Sequence, residues 1–433
     1  MNQIEISRQI PVVGSYDVVV CGGGPAGFVA ATAAARSGAR TALIERFGFL
    51  GGMATAGLVS PISVFSYNGK RIIGGIPWEF IERLESTGGA YVETPLNNVA
   101  FDPEKYKLAA QRMVLGAGVH LYTNSYLSHC RMEAGQVLEA VVENKSGTQA
   151  LHGRVFVDCT GDADLAHMAG VPMQPKEGGY QPASMYFSLA GVDTANLPSM
   201  HHNRQGVNCH DMAIRDLLLG LDGEERVPEF GGPWFCTLLH EGAVQVNMTR
   251  CAVDYLNNRD VARAECRLRE DAFRLADVLK RHTPQFKDSY ITQVATAIGV
   301  RESRRIVGVH TITAEEYLSA QTYPDAVTRS CHPIDVHRAG GAKQDVQFLE
   351  KPAYIPYRAM VASGFPNLIV AGRCISADKR AFASIRVQAP CMGMGQAAGT
   401  AAAISARDGA SVVHLDSSAL RGALAAEGAL LED

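Results

Sequence analysis

Hydrophobic and polar positions follow two regimes along the chain. In residues 16–45, YDVVVCGGGPAGFVAATAAARSGARTALIE, the β-branched run Val18, Val19, Val20 predicts a buried strand ending at Cys21. The mostly alanine segment 25–37 predicts a helix closed by Gly38, and 41–44 predict the next strand. Helical spacing recurs over 76–84 and 103–115, the second opened by Asp102 as N-cap and Pro103 at the first helical position. From 119 to 158 the period shortens to alternating strands with turn signals at 133–135 and 146–147, which predicts an antiparallel meander. Between about 171 and 353 the glycine turns and alanine-rich helices disappear. PASMYFSLAGV and PWFCTLLHEGAVQVNMT read as strands there, and 260–282 as an amphipathic helix with Ala264, Leu268, Phe273, Leu275 and Leu279 toward the core. Beyond 353 the first regime returns, with LIVA at 368–371 and a Gly/Ala-dense helix beginning at Pro390. The pattern predicts an α/β protein in which residues 1–170 and 354–433 form one discontinuous domain and 171–353 an inserted one.

Chemistry enters with the glycines. Gly22, Gly24 and Gly27 follow the first strand at the G-x-G-x-x-G spacing, and Glu45 ends the second strand, 18 positions after Gly27 (45 minus 27). In such a unit the first glycine makes the tight turn, the second lets the backbone approach a pyrophosphate, and the third lets helix and strand pack closely. Pro25 and Ala26 open a helix whose N-terminal amides and dipole favour phosphate, and Glu45 would accept ribose hydroxyls. An ordinary tight turn with a solvated Glu45 is the alternative. The loop RFGFLGGMATAGLVSP, with Arg46, Gly51, Gly52, Met53 and Thr55, can lay amides against a flat ligand or simply connect. In VFVDCTGDADLA the turn at Thr160, Gly161 and Asp162 would face the crevice at the carboxyl ends of the strands, or be a plain turn with Asp162 or Asp164 capping a helix. Gly393, Gly395 and Ala398 repeat the glycine pattern loosely, but too little chain follows for a second βαβ unit.

Composition narrows the class. Of 433 residues, 47% are hydrophobic and 19% charged, as in an ordinary globular enzyme. A net charge of -4 without a Lys/Arg-rich run gives no reason to expect nucleic acid. The ten cysteines are scattered singly with no C-x-x-C pair, the pattern of a reduced, cytoplasmic protein. The N-terminus lacks a basic-then-apolar leader, and no apolar stretch reaches the ~20 residues of a membrane span.

Together, YDVVVCGGGPAGFVAA with Glu45, GFLGGMATAGLVSP, VFVDCTGDADLA and NLIVAGRCISADKRAFASIRVQAPCMGMGQAAGTAAA resemble the FAD-dependent oxidoreductases of the glutathione-reductase-like flavoprotein superfamily. More narrowly, IGVRESRR at 298–305 and PIDVH at 333–337 resemble segments of a bacterial FAD-dependent oxidoreductase family. The resemblance implies a Rossmann-type, glutathione-reductase-like FAD-binding fold with an inserted α+β substrate domain. It implies that Gly22, Gly24, Gly27 and Glu45 hold the ADP half of FAD, that Gly51, Gly52, Met53 and Thr55 line the flavin and ribityl region, and that Gly161 and Asp162 match the family's T-G-D segment. Gly372 and Arg373 stand where many relatives carry Gly-Asp, a departure at the ribityl-binding acid. The helix near Cys391 would aim its N-terminus, through Met392 and Gly393, at the flavin, where a helix N-terminus stabilises negative charge by ~0.3 to 1 kcal/mol or more. The G-D-A-A-H-x-x-x-P segment of flavin hydroxylases is missing.

The reaction expected with FAD is hydride transfer between a small-molecule C–H and the flavin, with protein groups handling a proton. In IDVH, Asp335 and His337 share a strand face, so the carboxylate could orient the imidazole or raise its pKa. His337 is thus the leading acid/base candidate, with an ordinary hydrogen-bonded histidine as the alternative, and His332 ranks behind it. Of Arg301, Arg304 and Arg305, only Arg301 follows a small-residue segment that suggests burial near a ligand; Arg373 and Arg386 flank the flavin helix. No metal is expected: His201-His202 and Cys209-His210 form no recognised ligand pattern. The rivals are an NAD-dependent dehydrogenase and a flavin-bearing redox sensor without turnover. The electron acceptor stays open among oxygen, a quinone and a redox protein, and an oligomer is possible.

Overall fold

The computed structural model describes residues 4–5, 7–94, 97–197, 208–209, 212–229, 232–338 and 345–432. The chain opens with β1 (Val12–Cys21), α1 (Pro25–Arg36) and β2 (Thr41–Ile44). Val18 to Cys21 pair in parallel with Thr41 to Ile44, so the alanine-rich helix is the crossover of a βαβ unit. The first strand begins six residues before the valine run, because its outer half pairs with one neighbour only and tolerates Gly14 and Ser15. Two helices follow, α2 (Ile76–Ser86) and α3 (Pro103–Gly116); Asp102 caps α3 by accepting from the Glu104 and Lys105 amides, as its position predicted.

The expected meander is β4 (Tyr126–Glu133), β5 (Gln136–Asn144) and β6 (Gly147–Asp158), preceded by β3 (His120–Tyr122). Gly135 and Gly147 take positive φ at its turns. The seven-stranded sheet runs β3-β2-β1-β6-β5-β4, and β15 (Leu368–Val370) pairs in parallel with the end of β6. β1, β6 and β15 are therefore parallel neighbours, and the turns leaving them open side by side. This is a Rossmann-type α/β sheet, as expected.

A second sheet is built from Asn208–Cys209, β8 (Trp234–Thr237), β9 (Val244–Asn247), β7 (Phe187–Ala190) and β10 (Tyr290–Val294), in that order. α5 (Asn258–His282) covers it with Ala264, Leu268, Ala272, Leu275 and Leu279, a stripe at three- and four-residue intervals. Phe273 departs from the expectation: it lies about 100° around the helix from Ala272 and is 54% exposed. The hairpin β12 (Ile334–Val336) and β13 (Asp345–Gln347) carries the IDVH segment, and β11 (Ala326–Ser330) pairs with β14 (Ala353–Pro356). Ile312, Tyr317, Val327 and Ile355 already pack in the same core as α1. The chain thus rejoins the first core well before residue 354.

After α6 (Lys379–Ile385) comes α7 (Gln388–Asp408), a helix buried along nearly its whole length. A Cβ on Gly395 would stand 2.2 Å from the Ala26 carbonyl oxygen, and one on Gly399 2.1 Å from that of Ala30. The glycine density of α7 is the condition for backbone contact with α1. That contact locks α7 under the glycine turn.

Candidate functional site

A cavity of about 460 Å3 joins the turns at the sheet's carboxyl edge to the second sheet. At the nucleotide end the three glycines divide their work. Gly22 has φ +98°, and a Cβ there would lie 2.5 Å from the Cys159 carbonyl oxygen. Gly27 is closer still, 1.7 Å from the Gly22 oxygen, so it packs against the turn and does not line the cavity. A Cβ on Gly24 would meet only the Gly52 Cα at 3.8 Å, which leaves its backbone open to a ligand. Glu45 is buried and accepts from the Gly23 amide at 2.7 Å and the Phe47 amide at 2.8 Å. Burial pushes its pKa up, against the pull of those amides. Each oxygen keeps a second lone pair, so the side chain can still take ribose hydroxyls. Pro25, Ala26, Arg46, Gly52 and Met53 line the same end. Gly51 and Thr55 stand behind it: the Gly51 amide donates to Gly23 O at 2.9 Å, and Thr55 Oγ1 to Leu50 O at 2.8 Å.

The T-G-D turn is pinned by Asp158, which accepts from the Thr160 amide and hydroxyl and the Ala166 amide. Neither Asp162 nor Asp164 caps the short helix α4 (Asp164–Met168), whose N-cap is Ala163. Asp162 instead accepts from Arg373 Nη2 and from Ser303 Oγ, both at 2.5 Å. Burial works against both charges, but the mutual attraction wins: the Asp162 carboxyl is held below its ordinary range and the Arg373 guanidinium above. Gly161, at φ +79°, makes room for that guanidinium, since a Cβ there would lie 3.1 Å from Arg373 Cζ. Gly161, Gly372 and Arg373 all line the cavity. The Arg373 charge is thus already neutralised by the acid of the neighbouring turn.

α7 corrects one expectation. It starts at Gln388, so Pro390 is its third residue, where the missing N–H falls among first-turn donors that have no intrahelical partner. Val387, Gln388 and Cys391 line the cavity; Met392 is fully buried in the core, and Gly393 packs against Thr328.

At the other end, His337 Nε2 lies 2.8 Å from Asp335 Oδ2, the pairing expected from their shared strand face. Its Nδ1 is 2.6 Å from Arg250 Nη2. A guanidinium only donates, so Nδ1 accepts and the proton sits on Nε2. Burial and the charge of Arg301 push the His337 pKa down to about 3, and Asp335 offsets only part of this. Asp335 thus acts in the expected direction and orients the ring, but burial and the guanidiniums of elements distant in sequence outweigh it. Burial alone would raise the Asp335 carboxyl, but the His337 hydrogen bond and Arg386 hold it low, as a carboxylate. Arg301 donates through Nη1 to Pro182 O at 2.7 Å and Ser184 Oγ at 2.9 Å, while Arg304 and Arg305 turn away to Asp164 and Glu302. His332 is differently placed. Its Nδ1 donates to the Pro333 carbonyl at 2.8 Å, which leaves Nε2 unprotonated, and burial lowers its pKa.

Sequence reasoning did not single out Gln245 and Asn247, cavity-lining residues of β9 that are 1% and 9% exposed. Polar residues alternating with buried valines in VQVN were the available signal. His201, His202 and His210 lie outside the described residues, as does the side chain of Cys209. Among the described residues no His/Cys/Asp/Glu group could hold a metal, and no helix is long and apolar enough to cross a membrane.

The profile of the FAD dependent oxidoreductase family matches residues 17–424. The chain belongs to this family. As an FAD-dependent oxidoreductase it is an enzyme whose dinucleotide is FAD, which sets aside the NAD-dependent and turnover-free alternatives. A dihydrolipoyl dehydrogenase of Trypanosoma brucei brucei is 56% identical over 45 residues, 10% of this chain and 9% of that one. Among solved structures, a geranylgeranyl bacteriochlorophyll reductase-like protein from Thermoplasma acidophilum is 12% identical, with 94% of this chain and 90% of that one covered at a TM-score of 0.47. The p-nitrophenol 4-monooxygenase of Pseudomonas putida is also 12% identical, with 96% and 88% covered and a TM-score of 0.46. The cavity fits the family's cofactor: Gly24 leaves its backbone clear at a helix N-terminus, Glu45 has lone pairs to offer, and Arg373 is pre-neutralised beside Gly161.

Proposed function

We propose that this FAD-dependent oxidoreductase moves a hydride between a C–H of a small molecule and the cofactor, within a glutathione-reductase-like arrangement whose inserted segment, about 171–353, supplies the substrate end. The observation that carries the reading is the continuity of one cavity from Gly24 and Glu45 to His332, Asp335 and Arg301. FAD supplies the two-electron chemistry. Gly22, Gly24 and Glu45 orient its nucleotide half, and the Asp162–Arg373 pair keeps the middle of the cavity close to electroneutral. We assign proton transfer to His332 rather than His337. His332 presents a neutral Nε2, and its backbone is fixed by Ser384 and Tyr317, which both donate to its carbonyl. His337 is a positioning residue: as a neutral imidazole between Arg250 and Asp335 it holds the carboxylate in place. The scattered cysteines, with Cys21, Cys159, Cys374 and Cys391 buried and unbridged, support a cytoplasmic setting.

The test is anaerobic mixing of the FAD-loaded protein with a metabolite panel, followed by flavin bleaching. With the metabolite that bleaches the wild type, His332→Gln should slow bleaching by about 10²-fold or more at unchanged FAD content, the range for loss of a general base or acid. Equal rates in wild type and His332→Gln would remove His332 from the reaction. A panel that bleaches nothing would count against hydride transfer from a C–H.

A further inference from the structure

We infer that the substrate end of the cavity binds a small organic carboxylate, held by Arg301 and Arg386. This rests on the reading of that end as the substrate chamber. The charges there do not balance. Arg301 and Arg386 line the wall and Arg250 stands directly behind His337, while Asp335 is the one carboxylate lining this end among the described residues. Asp335 is engaged through Oδ2 with His337 and through its carbonyl oxygen with Arg386 Nη2 at 3.4 Å, and although its buried Oδ1 has no partner, its single charge faces three guanidiniums. Burial, joined by the repulsion of Arg301, lowers Arg250 and Arg386 to about 10. The neighbouring Asp162–Arg373 pair is internally compensated and supplies no counter-charge.

Donors are also left over. Arg301 spends Nη1 on Pro182 and Ser184, and its Nη2 and Nε have no hydrogen-bond partner among the described residues. Arg386 Nε is buried without a partner, and so are both polar atoms of the Gln245 amide. Gln245 is 1% exposed and lines the same cavity as the arginines, so an otherwise uncompensated polar group faces the same space. Buried donors without acceptors are costly, and a planar fork is matched by the two oxygens of a carboxylate better than by a neutral amide. The volume of about 460 Å3 is shared with the cofactor's span, which restricts the guest to a small molecule. The substrate class is therefore a compact carboxylic acid whose reacting C–H is presented from an anchored carboxylate.

The experiment uses the FAD-loaded protein and follows the flavin absorbance while benzoate, benzamide, succinate, succinamide and inorganic phosphate are titrated separately. FAD content is measured first; a protein that takes up no FAD overturns the reading of the cavity itself, before any anion is added. With FAD bound, each carboxylate should perturb the spectrum saturably and bind at least tenfold more tightly than its amide, and phosphate no better than the amides. Arg386→Met should weaken benzoate at least tenfold and leave benzamide unchanged. Arg301→Lys keeps the charge but loses the fork, and should weaken benzoate by several-fold. Equal affinity for benzoate and benzamide, or tightest binding by phosphate, would overturn the inference even if neither variant folds.

Discussion

The Asp162–Arg373 pair makes the most demanding energetic prediction. Asp162→Asn keeps the shape and the Arg304 bond to the backbone carbonyl, but leaves the Arg373 guanidinium in place without its counter-charge. The two side chains are 19% and 13% exposed, so solvent screens the pair only slightly. At a charge separation of ~4 Å and an effective dielectric of ~20, the attraction is worth about 4 kcal/mol. Breaking one side of a buried pair costs about 3–5 kcal/mol, in agreement. Arg373→Met should cost a similar amount, because Asp162 then loses its largest stabilising charge. The double variant should be much less destabilised than the sum, since it removes both buried charges together. Urea unfolding midpoints of the four proteins, at matched FAD saturation, give the coupling energy directly. Additive single effects, with coupling below about 0.5 kcal/mol, would refute the pair as the element that neutralises the cavity's middle.

Three further outcomes follow from the same structure. Gly399→Ala should cost about 1–3 kcal/mol in a urea titration, because its Cβ would sit 2.1 Å from the Ala30 oxygen, whereas Gly422→Ala, in an open helical position, should stabilise by about 0.5–1 kcal/mol. Asp164 is pushed up to about 6 by burial and by Asp162 and Asp158; a raised acid makes the folded state bind more protons than the unfolded one, so stability is lost as pH rises from about 4 through 6. Asp164→Asn should flatten that decline, which amounts to about 3 kcal/mol over the window in pH-dependent unfolding data. For His337, nitrogen NMR of the imidazole should report one neutral tautomer with the proton on Nε2 at every pH from about 5 to 8, and a titration inside that range would contradict its placement between Arg250 and Asp335.

Much of the fold was legible because its signals are local. The valine run, the three glycines, the alanine-rich helix and the terminal acid each follow from neighbours in sequence, and the meander followed from a change of period. What was not legible depends on partners far along the chain. The neutral state of His337 is imposed by burial and Arg301, and its tautomer by Arg250, 87 positions away; no spacing within IDVH contains either. The role of Arg373 was obscured for the same reason, since Asp162 lies 211 positions earlier. Met392 and Gly393 were assigned to the cavity by the resemblance, as the N-terminus of a helix starting near Cys391; with the helix starting at Gln388, those two fall on the core side. Phe273 shows the reach of apolar spacing alone: one step from the buried stripe is enough to turn an aromatic ring outward.

The central claim is that the cavity beside Gly24 is where the cofactor's phosphates meet the chain. Gly24→Ala tests it most directly, because the added Cβ would have only ordinary contact with Gly52 at 3.8 Å and the backbone there is extended. The stability of the flavin-free protein should therefore change by less than about 0.5 kcal/mol. FAD affinity, measured by equilibrium titration, should fall at least tenfold, about 1.4 kcal/mol. Wild-type affinity in a folded Gly24→Ala protein would contradict the account.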